Sequence, residues 1–335
     1  MPSLLERLLS FLSPHPQIPH VQSPGGSYVW NPKNPHAGSH NLPTHNPPLP
    51  LHWHDLPEDL MRLGQATYGS REALTEVLKQ AKLTLAPLPG GKVWLAQDAS
   101  DNSAQRIVSE NAQGKDEYGL RRLTHHNVAF GLAIDVGANI GDQTIAMARL
   151  RPQMQILAIE PVPSTYFMLR WNLFINNITL LRAAELKPGG RAGVLALNAA
   201  TTGDPTPNRS VEILFGGRGH SQDARLSTAA SLSDPKRTDK YLKWSRRRVP
   251  SLFLPSSLGG WRRVQLLKLD CELCEYDIIA SSAEWFADKM RVRYVGGELH
   301  TGARVSATLR ETVTKALVAR RCLPPPRMGN GRMNC

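Results

Sequence analysis

Two groups of residues in this chain have types and spacings suited to chemistry. The first is Asp135-Val136-Gly137-Ala138-Asn139-Ile140-Gly141, which continues the apolar pair Ala133-Ile134. A strand running into such a turn needs glycine, because the backbone must turn tightly and let a ligand approach with no side chain between them. Spacing narrows the ligand. A dinucleotide fingerprint places glycines at relative positions 1, 3 and 6, and counted from Gly137 the later two positions hold Asn139 and Asp142. No Gly-Lys-Ser/Thr triplet is present to cradle phosphates. Asp135 instead opens the loop with a carboxylate, suited to an amine-bearing or cationic ligand. Glu160-Pro161 ends the next apolar run, where a carboxylate can accept hydrogen bonds from both hydroxyls of a ribose, each worth about 1.5–3 kcal/mol. A cationic amino-acid end joined to a nucleoside describes S-adenosylmethionine. The residues expected to bind it are Asp135, Gly137, Asn139, Gly141 and Glu160.

The second group lies later in the chain. In Val264–Asp270 the alternation of a strand puts Lys268 and Asp270 on one face, and in Val292–His300 it does the same for Glu298 and His300. Methyl transfer to a hydroxyl needs the acceptor aligned and its proton removed. His300 is the expected general base, since its ordinary pKa lies near neutrality. Asp270 and Glu298 are expected to position the acceptor or to help hold a cation; no dedicated metal site is expected. Blander roles stand beside these. Lys268 suits a structural partner for a nearby carboxylate, and Glu272 and Glu275 suit the positive end of a helix starting near Tyr276. Cys271 and Cys274 form a CxxC between a strand and a helix, the place of a redox motif, but are read as packing or incidental thiols.

Positioning both groups at one crevice requires a particular architecture. From Leu132 the chain alternates strands (Leu132–Val136, Gln155–Glu160, Thr179–Ala183, Val264–Asp270, Val292–Leu299) with helices (Gln143–Leu150, Ser164–Asn176, Tyr276–Ala287, Val305–Arg320). This predicts an α/β fold with a mostly parallel, doubly wound sheet covered on both faces. Upstream, helices are expected over Leu56–Gly64, Arg71–Leu83 and near Asp116–Leu123, and short strands over Lys92–Ala96 and Gln105–Val108. The organisation expected is a Pro/His-rich tail (1–55), an N-terminal helical and strand extension (56–131), the main domain (132–325) and a C-terminal tail (326–335).

Asp135–Gly141, Ile159-Glu160-Pro161, Leu267–Glu275 (LKLDCELCE) and Glu298-Leu299-His300 stand in the order and spacing of FkbM-type methyltransferases. The stretch from Leu132 to Arg321 resembles that family. The resemblance implies a Rossmann-like class I methyltransferase fold, S-adenosylmethionine as cofactor, and O-methylation of a sugar or other small metabolite. Two departures stand out. The family's Asp-Val-Glu-Gly-Ala-Glu is Asp270-Cys271-Glu272-Leu273-Cys274-Glu275 here, so Leu273 replaces a glycine. Cys322–Cys335 is short and proline-broken, so the strand hairpin that closes such sheets is not expected.

Composition bounds the rest. With 335 residues, 41% of them hydrophobic, the chain can bury one sizeable core. No apolar run is long enough to span a membrane. Four cysteines are too few for a disulfide framework in a chain of this length, and a reducing compartment is the simpler reading. A cytoplasmic location is expected, with an organelle address in Met1–Leu12 left open. The net charge of +12 raises nucleic acid as a rival partner, through Lys236–Arg248 with Tyr241 and Trp244 interleaved; the alternative for that segment is a solvated loop. The reading is a methyltransferase for a small acceptor, carbohydrate included, with a nucleic-acid methyltransferase or a catalytically silent binding protein as rivals.

Overall fold

A buried strand followed by a helix is the repeating unit, and each helix begins where the sequence supplies a reason. A computed structural model of the chain describes residues 56–99, 101–112, 116–125, 130–207, 209–215, 225–226, 245–258, 260–272, 274–300, 305–322 and 331–335. The tail 1–55, Leu273 and the basic stretch 236–244 lie outside these residues. The main strands are β3 (Leu132–Val136), β4 (Gln155–Ile159), β5 (Gly193–Leu197), β10 (Val264–Leu269), β11 (Val292–Leu299) and β12 (Gly331–Asn334), ordered β12-β11-β10-β3-β4-β5. All neighbours run parallel except β12, which is antiparallel to β11. β3, β4 and β10 are buried along their whole lengths, as a sheet covered on both faces demands. The chain steps from β3 to β4 and β5 in one direction, then returns to place β10 and β11 on the other side of β3. A switch point therefore falls between β3 and β10, where open sheets of this kind bind ligands.

The covering helices are α4 (Asp142–Leu150) and α5 (Pro163–Ile175) after β3 and β4, and α7 (Cys274–Ser281), α8 (Ala283–Ala287) and α9 (Ala307–Arg320) around β10 and β11. Pro163 opens α5, where the missing N–H costs nothing, and Ser306 caps α9 by accepting from the Leu309 N–H at 3.1 Å. Helix α5 buries Phe167 and Trp171 completely. Residues before β3 pack onto this same layer: Leu60, Leu74, Leu95, Leu120 and Leu123 share one core with Ala133, Ile145, Phe167 and Trp171. Buried Asn172 ties the parts together, accepting from Ala96 N–H at 2.6 Å and donating to Ala96 O at 2.9 Å and Ile140 O at 2.8 Å.

Several expectations change. The third strand of the sheet is Gly193–Leu197, not Thr179–Ala183; the earlier run forms only a single bridge, Leu180 to Val194. The turn at Pro188-Gly189-Gly190 returns the later run to β4, which leaves the first at the margin. Gln105–Val108 lies in a helix, α3 (Ser103–Ala112), because buried Asp101 accepts from the Ser103 N–H at 2.9 Å and Gln97 from the Ala104 N–H at 2.6 Å at its start. The helix expected over Arg71–Leu83 is α2 (Arg71–Gln80), after α1 (Glu58–Tyr68). Lys82–Leu88 is instead β1, paired antiparallel with β2 (Gly91–Gln97).

A second sheet, absent from the sequence reading, contains β6 (Ala200–Thr201), β7 (Ser210–Phe215), β8 (Arg225–Leu226) and β9 (Ser245–Leu252). Arg246–Arg248 lie exposed on β9 rather than in a loop. The closing strand that seemed unavailable is β12, joined to β11 by reciprocal Val295–Cys335 backbone bonds of 2.9 Å. The cysteines read as unpaired are bonded two and two, Cys271 to Cys274 and Cys322 to Cys335; the second pairing needs α9 and β12 brought side by side, which spacing alone does not reveal. Among the described residues no helix is long and apolar enough to cross a membrane.

Candidate active site

The loop after β3 is shaped by glycine and held from beneath by an ion pair. Gly137 has φ +75°, and a Cβ there would lie 1.8 Å from the Asp270 carbonyl oxygen, so only glycine lets the ends of β3 and β10 meet. Gly141, at φ +94°, precedes α4. Asp135 is fully buried. Its Oδ1 sits 3.0 Å from Lys268 Nζ and its Oδ2 accepts from Thr144 at 2.6 Å. Lys268 also donates to Gly137 O at 2.6 Å. Burial alone would discharge Lys268, but the charges of Asp135 and Asp270 outweigh it and raise its pKa above the usual lysine value. Lys268 is thus the structural partner the sequence suggested. Asp135 braces the loop from beneath, with Oδ2 hydrogen-bonded to Thr144 and Oδ1 ion-paired with Lys268.

Glu160 stands at the end of β4 and is 3% exposed. Its two oxygens accept from the Asn139 N–H at 3.0 Å and the Val162 N–H at 2.9 Å, which fixes Asn139 in the left-handed region at φ +49°. A carboxylate keeps further lone pairs after two such bonds. Burial is the main reason its pKa is pushed up to about 7, against the pull of the two N–H donors. Asp142, buried in the first turn of α4, is raised to about 6, again mainly by burial.

Across the switch point the candidate chemistry converges. His300 Nδ1 lies 2.9 Å from Glu275 Oε1, and Nε2 lies 3.6 Å from Asp270 and 3.7 Å from both Glu272 and Glu298. Asp270, Glu298 and His300, separated by up to thirty residues in sequence, therefore form one cluster. Burial would lower the His300 pKa. The hydrogen bond to Glu275 and the charges of Glu275, Glu272 and Asp270 more than reverse that and raise it to about 9. The expectation of an imidazole titrating near neutrality is thereby changed: at pH 7 it carries a proton.

Sequence reasoning missed Tyr118. Its hydroxyl donates to Asp270 Oδ2 at 2.7 Å, and its ring lies 5.4 Å from Lys268 Nζ. It comes from the segment before β3, where an isolated tyrosine gives no signal. The pairing that shows it is structural: a Cβ at Gly296 would meet Tyr118 O at 2.0 Å, and one at Gly297 would meet Leu269 O at 2.0 Å. The Gly-Gly pair in β11 is a legible trace of that close approach. Glu272 and Glu275 also belong to the site rather than merely favouring the start of α7. Beside the loop after β3 runs a crevice lined by Gly137, Ile159, Pro161, Ala199, Cys271 and Cys274. Asp270, Glu275 and His300 each offer an atom within 4.8 Å of the others.

Comparison with known proteins fits this arrangement. The Methyltransferase FkbM domain matches residues 135–312, more than half of the chain. Methyltransferase 1 of Beauveria bassiana is 28% identical over 155 residues, 44% of this chain and 56% of that protein. Methyltransferase sdnD of Sordaria araneosa is 31% identical over 158 residues, 44% of this chain and 58% of that one. The chain thus spans little more than half the length of these relatives. A precorrin-6y C5,15-methyltransferase from Geobacter metallireducens is a distant structural match, 12% identical with a TM-score of 0.33, covering 68% of this chain and 78% of that one. With the FkbM domain matched from the end of β3 into the first turns of α9, the chain belongs to the FkbM methyltransferase family.

Proposed function

We propose that the protein transfers a methyl group from S-adenosylmethionine to a hydroxyl of a small acceptor, a sugar or related metabolite. The observation that carries this is the meeting of two unlike half-sites at one switch point. On one side a glycine loop and a buried carboxylate, Glu160, suit a nucleoside; on the other, Asp270 and His300 suit proton transfer. The crevice fits that cofactor chemically. Ile159, Pro161 and Ala199 supply an apolar wall for a base, and Glu160 retains lone pairs for ribose hydroxyls. The cofactor, when bound, supplies an already electrophilic methyl group; the protein's task is alignment and proton removal.

Magnitudes favour one group as the proton acceptor. With a pKa of about 9, only about 1% of His300 is neutral at pH 7. Asp270 is the better placed acceptor, held by the Tyr118 hydroxyl on one oxygen and facing imidazolium on the other. His300 and Glu298 then orient Asp270 and the acceptor. Calorimetric titration with S-adenosylhomocysteine tests the cofactor half, and methyl transfer from labelled cofactor to a panel of sugars, polyketide-like hydroxyls and RNA tests the acceptor half. Absence of S-adenosylhomocysteine binding would sink the reading; methylation of RNA alone would return the basic segment to the centre of it.

A further inference from the structure

We propose that Cys271 and Cys274 are a reversible dithiol–disulfide pair that controls the active-site crevice, the closed bridge holding the Asp270–Glu275 turn in its binding geometry and the open form releasing it. This rests on the functional reading above, since the turn matters only if the crevice binds cofactor and acceptor. The pair sits within the site itself. Its Cα atoms are 5.5 Å apart, and both residues line the crevice opposite Ile159 and Pro161. The Cys271 N–H donates to Glu275 Oε1 at 2.8 Å, and the same oxygen holds His300 Nδ1 at 2.9 Å. A Cβ at Gly137 would meet Asp270 O at 1.8 Å and Cys271 Cα at 3.2 Å, so the cofactor loop rests directly on the bridged segment. Inside the bridge Glu272 is held at φ +56°, a left-handed conformation that non-glycine residues adopt only when their surroundings impose it.

A bridge in a CxxC at a strand-to-helix turn is the arrangement thiol exchange uses. Cys271 is the partly exposed partner and Cys274 the buried one, at 7%. The thiolate of a dithiol reductant attacks Cys271 Sγ, forms a mixed disulfide and expels Cys274 as thiolate. The reductant's second thiol then attacks its own bound sulfur, closes the reductant's disulfide and releases Cys271. Two electrons pass to the protein and the reductant's two protons end on the two cysteines. In the chain-entropy picture a ring of four residues restrains the turn by up to about twentyfold. Part of that restraint reaches the cofactor through Gly137, and an affinity loss of about tenfold is expected on opening.

The test uses the full chain carrying Cys322→Ser and Cys335→Ser, so that the site pair is the one bridge left. Protein is titrated with S-adenosylhomocysteine before reduction, after dithiothreitol, and after reoxidation with oxidised glutathione, with thiols counted by alkylation and mass spectrometry. The expected result is two alkylated cysteines, 271 and 274, in protein that keeps its melting transition, an affinity about tenfold lower, and recovery on reoxidation. Cys271→Ser with Cys274→Ser should bind as the reduced form does. Thiols that emerge only on unfolding would make the pair an inert staple, and equal affinity in both states would equally overturn the proposal. Binding in neither state would refute the cofactor reading and the control built on it, a failure distinct from equal binding. Should the cysteine-to-serine variants not fold, the reductant comparison on the natural chain, with alkylation mapped residue by residue, decides the matter.

Discussion

The buried carboxylate of Glu160 makes cofactor affinity depend on pH, and the size of that dependence follows from its surroundings. Burial pushes its pKa up to about 7 from an ordinary 4.5, so about 10% is ionised at pH 6 and about 90% at pH 8. If the ionised form accepts the ribose hydroxyls, apparent affinity for S-adenosylhomocysteine should rise about tenfold across that interval. Binding at pH 6 should release close to one proton, readable by calorimetry in two buffers of different ionisation enthalpy. Glu160→Gln cannot ionise. It should weaken binding at pH 8 by about 10- to 100-fold and flatten the pH dependence. The ligand-free protein responds with the opposite sign. Because the folded pKa is raised, the contribution of Glu160 to stability is fully present below pH 4.5 and is lost as pH rises through about 7, approaching about 3 kcal/mol. His300, raised from 6.5 to about 9, acts in the same direction, its contribution present below 6.5 and lost through about 9. Melting temperature without ligand should therefore fall from pH 5 to pH 9, while ligand recovers more of it at pH 8 than at pH 6. Affinity that is flat from pH 6 to 8, with no proton exchanged and Glu160→Gln binding like the natural protein, would remove Glu160 from the cofactor site.

Asp270→Asn should lower methyl transfer by about 10²–10⁴-fold while S-adenosylhomocysteine affinity stays within a few-fold, the signature of a lost proton acceptor. The rate of the natural protein should decline as pH rises through about 9 and His300 loses its charge; a rate that climbs through that range would give the proton-accepting role to His300 instead. Lys268→Met leaves Asp135 buried without its partner 3.0 Å away, and urea unfolding should show a loss of about 3–5 kcal/mol. Gly137→Ala places a Cβ 1.8 Å from Asp270 O at φ +75°, so binding of S-adenosylhomocysteine should vanish even where circular dichroism shows a folded chain.

What the sequence made legible, and what it hid, divides along a physical line. Strands of the parallel sheet carry their own signal: Leu132–Val136, buried along its whole length, and Val292–Leu299, partly buried, match the observed strands end to end, because short runs of this kind between polar turns have few other uses. Where two similar runs compete, as Thr179–Ala183 and Gly193–Leu197 do, only pairing with β4 chooses between them, and pairing is a long-range fact. The site follows the same rule. Asp270, Glu298 and His300 could be grouped because strand alternation and the switch point bring their strand ends together. Tyr118 could not, since it reaches Asp270 from 152 residues away, and an expected helix near Asp116–Leu123 does not say which strand end its residues meet.

Charge state was hidden for a related reason. An imidazole has an ordinary pKa in any sequence, and it takes three carboxylates, Glu275, Glu272 and Asp270, to raise this one to about 9 against its burial. Asp135 shows the converse: its position in the loop is that of a ligand-facing carboxylate, and only the depth of Lys268 behind it converts it into a brace. Residue type and spacing thus grouped the carboxylates and the imidazole at neighbouring strand ends. Which carboxylate faces a ligand, which faces a lysine and which holds a proton were decided by burial and by neighbours that local sequence does not name.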